Sequence, residues 1–209
     1  MGDILEDSRF TTRTTGVCAV KQEKISKFYA PDATCGYTTS VSDKVVSPHV
    51  AATWVHSSRN KVVLCHGCYD IIGPAHIDHL MWARALGDCL VVSVSTDEMC
   101  QAKGPGRPII PLEGRVLHLA AFSCVDWVIP WPQRNAEELI KILRPRFYVK
   151  GVDTKHVNTE EFQREKIAAR STLCQVRYSP TQSCYHTSDI IKRFQEKQCL
   201  LDEILGMEE

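Results

Sequence analysis

The chain has 209 residues, of which 44% are hydrophobic and 24% charged, a balance typical of a folded globular protein with one sizeable core. Basic residues (Lys and Arg) and acidic residues (Asp and Glu) number 25 each, so no overall field favours nucleic acid or an anionic membrane as a partner. No apolar run reaches the roughly 18 residues that a membrane-spanning helix needs. The composition therefore argues against nucleic-acid and membrane partners.

The first ten residues, MGDILEDSRF, are acidic and lack the basic and then apolar pattern of a secretory signal. The chain has ten cysteines, and without an export signal these indicate reduced thiols rather than a disulfide framework. We therefore expect the protein to be cytoplasmic.

Along the chain, a polar N-terminal region precedes a regular alternation of strands and helices. Residues 1–58 are rich in Ser, Thr and charge and predict an extended or loosely ordered arm, with at most a short helix over 47–58. From residue 61, short β-branched runs alternate with helical segments, and 103–111 is a Gly/Pro-rich loop. The predicted strands are 61–65, 89–97, 125–131, 147–151 and 175–179, and the predicted helices are 76–87, 112–124, 136–144, 160–170 and 188–206.

This alternation predicts the fold class. Strands that alternate with helices, without tandem hairpins, favour right-handed crossovers and a parallel sheet. We therefore expect a Rossmann-like α/β domain over 59–209, with a five-stranded parallel sheet and helices on both faces. Ligands of such sheets bind beyond the carboxyl ends of the strands, at the switch point. The loop over 66–76 leaves the first strand and opens the first helix, so a phosphate is expected there.

Four segments stand in a fixed order along this predicted domain. They are GCYDIIGPAH (67–76), KGPGRPIIPLEGR (103–115), LRPRFYVKGVD (143–153) and HTSDIIKRF (186–194). Together they resemble the signature segments of the cytidylyltransferase-like nucleotidyltransferases, whose loop usually reads G-x-F-D-x-x-H-x-G-H. Within that family they are similar to the adenylyltransferase domain that activates heptose 1-phosphate as an ADP-sugar.

The resemblance implies a reaction and its partners. An oxygen of a phosphorylated sugar or polyol would attack the α-phosphorus of ATP, or less expectedly CTP, and pyrophosphate would leave. Such a reaction needs no covalent enzyme intermediate, so catalysis rests on positioning and on stabilising charge. The implied cofactor is Mg²⁺, carried with the nucleotide, and no protein cage of metal ligands is expected. The expected partners are a nucleoside triphosphate and a small phosphorylated substrate.

The resemblance also implies the site residues. The catalytic ones are His76, in the first turn of a helix, and the cations Lys103 and Arg115, which would contact phosphates. The alternative for Lys103 is an ordinary solvated lysine, and the alternative for Lys150 and Asp153 is a solvated turn. For Thr187 and Ser188 the alternative is helix capping. Nucleotide binding is implied for Cys68, Tyr69, Asp70, Gly73, Ala75, Lys150, Gly151, Asp153, Thr187 and Ser188.

Two positions depart from the family pattern. Gly73 stands where the family has its first histidine, and Ala75 stands where the family has a glycine that lets the nucleotide approach the backbone. One lost donor costs roughly 3 to 4 kcal/mol in the transition state. A catalytically weak nucleotide- or sugar-phosphate-binding module, with a regulatory or structural role, is therefore the alternative function. His66, where the family often has asparagine, is a candidate for reaching the phosphates from the other side.

Three smaller hypotheses come from spacing alone. Cys65, Cys68, His76 and His79 have the residue types of a tetrahedral zinc site, with packing or phosphate contact as the alternative. The two cysteines also form a C-x-x-C pair, for which a redox role is a second alternative. An apolar stripe in the last helix favours either core packing or a homodimer seam; its residues are Ile191, Phe194, Leu201 and Leu205.

Overall fold

The structure, a computed structural model, describes residues 41–102, 104, 106–180 and 192–198. The chain divides into two units, Met1–Tyr37 and Thr38–Glu209. The first unit lies outside the described residues, so the fold described below is that of the second.

Five strands form one parallel sheet. They are β1 (Val62–Gly67), β2 (Cys89–Ser95), β3 (Trp127–Trp131), β4 (Phe147–Gly151) and β5 (Gln175–Ser179). Their spatial order is β3-β2-β1-β4-β5, and every neighbouring pair is parallel. Every residue of β2 is buried, as expected for a strand that is covered on both faces of its sheet.

Helices connect the strands. They are α1 (Pro48–Ser57), α2 (Pro74–Arg84), α3 (Asp97–Gln101), α4 (Leu112–Ala121), α5 (Glu137–Leu143) and α6 (Glu160–Ser171), and short 3-10 helices span Ser42–Lys44 and Val152–Thr154. Residues 192–198 are also helical. None of the helices in these described parts is long and apolar enough to cross a membrane.

The core has one part on each face of the sheet. Helices α1, α5 and α6 pack on one face, and α2 and α4 pack on the other. Alternate residues of β1 belong to different faces: Val62 and Leu64 join the first cluster, whereas Val63 and Cys65 join the second. This alternation follows from the period of two in a strand. The three-layer architecture confirms the predicted Rossmann-like parallel sheet of five strands with helices on both faces.

The N-terminal arm predicted over 1–58 includes a segment that packs into the domain. Ser47 caps α1 by accepting a hydrogen bond from the Val50 N–H, and Pro48 opens the helix. Ala51 is completely buried in the core cluster on the α1 face. The short helix predicted over 47–58 is therefore present, and the boundary predicted after residue 58 lies inside the second unit, because apolar residues of α1 contribute to its core.

Two other segments differ from the sequence prediction. Helix α3 was not predicted, because DEMCQ is too short to show helical periodicity. Of the helix predicted over 188–206, the structure describes 192–198, where Phe194 is 70% exposed. The rest of its predicted apolar stripe lies outside the described residues, so the homodimer seam stays a hypothesis.

The sheet order determines where a ligand site can lie. From β1 the chain moves outward to β2 and β3, then returns to the other side of β1 for β4 and β5. The direction of winding therefore reverses between β1 and β4. In open parallel sheets, ligands bind at this switch point, beyond the carboxyl ends of the strands. In this protein, that position is occupied by the loop between β1 and α2 and by the turn after β4.

Candidate functional site

Two adjoining clefts open at the switch point. The larger, cleft A, has a volume of about 650 Å³ and lies between the loop after β1, the first turns of α2 and the end of β4. The smaller, cleft B, has a volume of about 190 Å³ and lies between the ends of β1 and β4, α3 and the start of α6. Of the predicted nucleotide-binding and catalytic residues, cleft A brings together Cys68, Tyr69, Asp70, Ala75, His76, Lys150, Gly151 and Asp153.

His76 lies in the first turn of α2 and lines cleft A. Gly73 is the N-cap of this helix, and its N–H donates to Nδ1 of His76 over 3.3 Å. Because Nδ1 accepts this bond, a neutral His76 carries its proton on Nε2. The ring also stands edge to face against Tyr69, with 5.8 Å between the ring centroids. The imidazole is thereby oriented as a donor beside the positive end of a helix.

Asp70 clamps the Gly/Pro-rich loop onto the loop after β1. Its side chain is 5% exposed. One carboxylate oxygen accepts the N–H groups of Ile109 and Ile110 over 2.8 and 2.9 Å, and the other accepts from Arg107 over 3.1 Å. With three donors around it, the carboxylate faces the protein rather than a ligand. Asp70 therefore shapes the wall of cleft A. Its direct contact with a nucleotide stays a prediction, and the three donors around the carboxylate give it no support.

Arg115 occupies a position that differs from the predicted catalytic one. Its side chain is completely buried on α4 and lines neither cleft. Its guanidinium donates to the carbonyl oxygens of Ile110 and Cys68, and to Asp97 of α3 over 2.7 Å. This cation therefore joins two loops and helix α3 from behind the site. The phosphate contact that the sequence implied for Arg115 stays a prediction, and this geometry gives it no support.

Lys150 stands where β4 ends and lines both clefts. Its ammonium lies 3.3 Å from Glu165 and 3.3 Å from the Tyr148 hydroxyl, and 5.3 Å from the centroid of the Phe162 ring. Glu165 is 2% exposed and also accepts the N–H of Ala136 over 2.9 Å. Burial and charge pairing thus hold the ammonium at the boundary between the two clefts.

The two clefts share one wall. It consists of the end of β1 and the adjoining loop, together with two residues at and after the end of β4. Ligands in the two clefts would therefore meet here. The shared residues are His66, Gly67, Cys68, Lys150 and Thr154.

His79 lies one helical turn after His76 and lines the inner part of cleft A. Its Nδ1 is 2.6 Å from the hydroxyl of Ser179, at the carboxyl end of β5. Burial, and after it the neighbouring His76, lower the pKa of His79 from 6.5 to about 4, against the opposing effect of Asp153. The imidazole is therefore neutral at physiological pH.

This shifted pKa predicts a stability effect. An unfolded chain protonates His79 near pH 6.5, whereas the folded chain does so only near pH 4, so folding stability falls as the pH is lowered through this interval. In His79→Asn we expect the melting temperature to fall less steeply between pH 6.5 and 4 than in the parent. Thermal denaturation at stepped pH checks this, and equal slopes for the two proteins would contradict it.

The exposed carboxylate of Asp153 closes the far side of cleft A, in the 3-10 helix after β4. A Cβ added to Gly151 would stand 2.3 Å from Oδ1 of Asp153. Glycine at 151 therefore lets this carboxylate fold back against the end of the strand. Two acidic residues line cleft A, Asp70 and Asp153. The carboxylate of Asp70 accepts backbone N–H groups, whereas among the described residues no such bond engages the carboxylate of Asp153.

A protein-family model matches most of this domain. It covers residues 64–193 of the chain and is that of the cytidylyltransferase-like proteins. The chain belongs to the cytidylyltransferase-like family.

Curated relatives agree with this assignment. Bifunctional protein HldE of Aeromonas hydrophila is 39% identical over 142 residues, which are 66% of this chain and 28% of that protein. Bifunctional protein HldE of Hydrogenovibrio crunogenus is 41% identical over 121 residues, which are 57% of this chain and 25% of that protein. The chain thus spans about a quarter of the length of these relatives.

A solved structure is also similar to this chain. It is the lipopolysaccharide core biosynthesis protein of Thermoplasma volcanium, with a TM-score of 0.49 and 26% sequence identity. The match covers 57% of this chain and 97% of that protein.

For this cytidylyltransferase-like chain, three residues of the predicted site lie outside the described residues: Lys103, Thr187 and Ser188. Their roles stay predictions. Gly73 is described, and it acts as the helix N-cap rather than as a lining residue of cleft A.

The cysteine and histidine quartet is the basis of the zinc and redox hypotheses. Cys65 is completely buried within β1, where burial raises the pKa of its thiol far above the usual range. A thiol that stays protonated is a poor zinc ligand and a poor redox nucleophile. Among the described residues, no three His, Cys, Asp or Glu side chains are placed to hold a metal ion together. The geometry therefore gives no support to the zinc and redox hypotheses.

Proposed function

We propose that this protein transfers a nucleotidyl group from ATP, with CTP as the alternative donor, to a phosphate oxygen of a phosphorylated sugar or polyol, releasing pyrophosphate. The observation that carries the proposal is the pair of clefts that share a wall at the switch point. A transfer between two substrates requires that both be held with their reacting atoms in contact. Two adjoining clefts of unequal volume suit a larger nucleotide and a smaller acceptor.

In this proposal the nucleoside triphosphate occupies cleft A. Its phosphates lie against the start of α2, where backbone N–H groups and the helix dipole favour anions. His76 donates from Nε2 to a phosphate oxygen, and this bond becomes stronger as negative charge develops on the transferring phosphate. Lys150 supplies a positive charge from the opposite side.

The acceptor occupies cleft B, which is lined by both signs of charge. Arg134 and Lys150 suit the phosphate of the acceptor, and Glu161 suits its hydroxyl groups. The acceptor phosphate oxygen forms a new bond to the α-phosphorus while the bond from the α-phosphorus to the bridging α,β-oxygen breaks. The electron pair of that bond leaves with pyrophosphate, so no electrons or protons need a further acceptor.

Magnesium fits this site as a companion of the nucleotide. An ion held mainly by phosphate oxygens needs few protein ligands. Asp153 is the carboxylate that would complete its coordination from the protein side. The ion would neutralise charge on the phosphate oxygens. EDTA should therefore abolish turnover.

The proposal is tested by pyrophosphate release with Mg²⁺, using ATP and CTP against a panel of sugar and polyol phosphates. We expect release with at least one pair and none when the acceptor is omitted. In parallel, the triphosphate that is used should raise the melting temperature of the protein, because a ligand that binds only the folded state stabilises it. Absence of both pyrophosphate and any thermal shift at millimolar nucleotide would refute a nucleotide-dependent function altogether.

A binding module with little catalysis is the second candidate, and a specific observation favours it. At the N-cap of α2, Gly73 stands where the family has its first histidine, so this position has no side chain that can donate to a transferring phosphate. The loss of a donor of this kind lowers catalysis more than it lowers binding. A thermal shift with ATP or CTP, combined with no pyrophosphate release from any acceptor, would identify this second function.

A further inference from the structure

His79 follows His76 along helix α2, and both side chains line cleft A. Residues three apart on a helix lie on the same face, with about 5 to 6 Å between their Cβ atoms. The two imidazoles therefore stand one after the other along one wall of the cleft. A nucleotide offers its groups in a similar order, because the ribose comes directly after the α-phosphate.

Two hydrogen bonds orient the ring of His79. Ser179, which is 1% exposed at the carboxyl end of β5, donates from its hydroxyl to the carbonyl oxygen of Lys150 over 3.4 Å. Nδ1 of His79 lies 2.6 Å from the same hydroxyl oxygen. Because the hydroxyl proton is directed at the carbonyl, the tautomer that completes this chain donates from Nδ1 to Ser179. The ring nitrogen that remains for a ligand is Nε2, for which the described residues show no partner.

An uncharged group suits this nitrogen better than a phosphate does. Burial and the neighbouring His76 hold the pKa of His79 well below its usual range, so the ring is neutral at physiological pH. Lys150 acts in the same direction, and Asp153 opposes it. In the tautomer that donates to Ser179, Nε2 carries a lone pair, which repels phosphate oxygens and accepts a hydrogen bond from a hydroxyl. A hydroxyl also pairs with the other neutral tautomer, because it can accept as well as donate.

We propose that His79, oriented by Ser179, binds a ribose hydroxyl of the nucleoside triphosphate in cleft A, and so makes nucleotide affinity depend on that hydroxyl. This inference rests on the proposed function, since it places the nucleotide in the same cleft. With the phosphates at the first turn of α2, the next group of the nucleotide meets the second turn, where His79 lies. The ribose is uncharged and carries two hydroxyls, which matches a neutral imidazole with one nitrogen left for a ligand.

The test compares nucleotide affinities and does not depend on turnover. Calorimetry with Mg²⁺ gives the Kd of ATP, 2′-deoxy-ATP and 3′-deoxy-ATP, and the cytidine counterparts are used if CTP binds more tightly. Because one hydrogen bond between neutral groups is worth about three- to tenfold in affinity, the parent should bind at least one deoxynucleotide that much more weakly than ATP. His79→Leu should lose the same factor for ATP and bind all three nucleotides about equally. His118→Leu, at an exposed position of α4 that lines neither cleft, is the matched control and should keep the parent's preference.

A second variant separates this bond from an effect on folding. Ser179→Ala leaves the imidazole in place without the hydroxyl that orients it, so the preference for ATP should decrease, and it serves as the test should His79→Leu not fold. Equal Kd values for ATP and both deoxynucleotides in the parent would overturn the inference, and so would a preference that is unchanged in these variants. Pyrophosphate release by the parent would still uphold the reaction in either case. A parent that binds no nucleotide would instead remove the proposed function and this inference together.

Discussion

Replacing Arg115 with methionine is expected to reduce the free energy of unfolding by roughly 2 to 5 kcal/mol, because two partly buried carbonyl oxygens lose their donor at about 1 to 3 kcal/mol each. Those carbonyls belong to Ile110 and Cys68, and the Asp97 carboxylate loses its cation as well. Methionine retains most of the aliphatic volume of arginine. The decrease in the free energy of unfolding is therefore caused by the lost hydrogen bonds rather than by a cavity. Urea denaturation measures it.

The matched control is Arg170→Met, at an exposed position of α6. Surface substitutions of this kind usually change stability by less than about 0.5 kcal/mol. If Arg115→Met were as stable as the control, the guanidinium would not be holding the loops together, and the predicted phosphate contact would again be the better explanation for a basic residue at 115.

The other large effect concerns His76. In His76→Ala we expect kcat to fall by about 10² to 10³, while the Kd for the nucleotide changes by less than about tenfold, because the donor acts mainly on charge that develops in the transition state. Steady-state pyrophosphate release gives kcat, and calorimetry gives the Kd. A smaller effect on stability is also expected, because the variant loses the bond from the Gly73 N–H to the ring.

For this variant the control is His118→Ala, which removes an exposed imidazole from α4. A His76→Ala protein with unchanged kcat would show that the histidine serves only to cap α2. A variant with unchanged kcat but a Kd raised by more than tenfold would show that His76 contributes to ground-state binding instead.

The strands of the sheet could be predicted from the sequence because the pattern that marks a strand lies within a few consecutive residues. Runs such as CLVVSVS and FYVKG are apolar or β-branched and short, and they became β2 and β4. Their alternation with helices determined a parallel sheet, and with it the switch point. The place of His76 in the first turn of a helix was also predicted, although α2 begins at Pro74 rather than at residue 76, and a Pro at the first helical position was the signal for that start.

The roles of Asp70 and Arg115 depended on contacts between distant segments, which motif spacing does not encode. Asp70 binds backbone N–H groups about 40 residues further along the chain. For Arg115 a signal was present in the sequence. The residue lies on the same face of α4 as Val116, Leu119 and Ala120, all of which are buried. A cation on an apolar helical face must be paired within the protein, which favours a structural role.

Glu165 was missed for a similar reason. Within α6 it lies in a polar run, EEFQREK, where acidic residues usually face solvent. Its burial depends on Lys150 from β4 and the N–H of Ala136 from the start of α5. His66 and Lys150 are brought to one wall by the pairing of β1 with β4, and only the assembled sheet shows that this wall is shared by two clefts.

The most direct measurement of the central claim follows the phosphorus atoms. ATP labelled with ³²P at the α- or the γ-position is incubated with the protein, Mg²⁺ and the acceptor found by the pyrophosphate screen, with CTP treated in the same way. Nucleotidyl transfer predicts that the α-label appears in a nucleoside diphosphate sugar or polyol and the γ-label in pyrophosphate. Transfer of the γ-label to the acceptor, or retention of the α-label in unmodified nucleotide, would contradict the account.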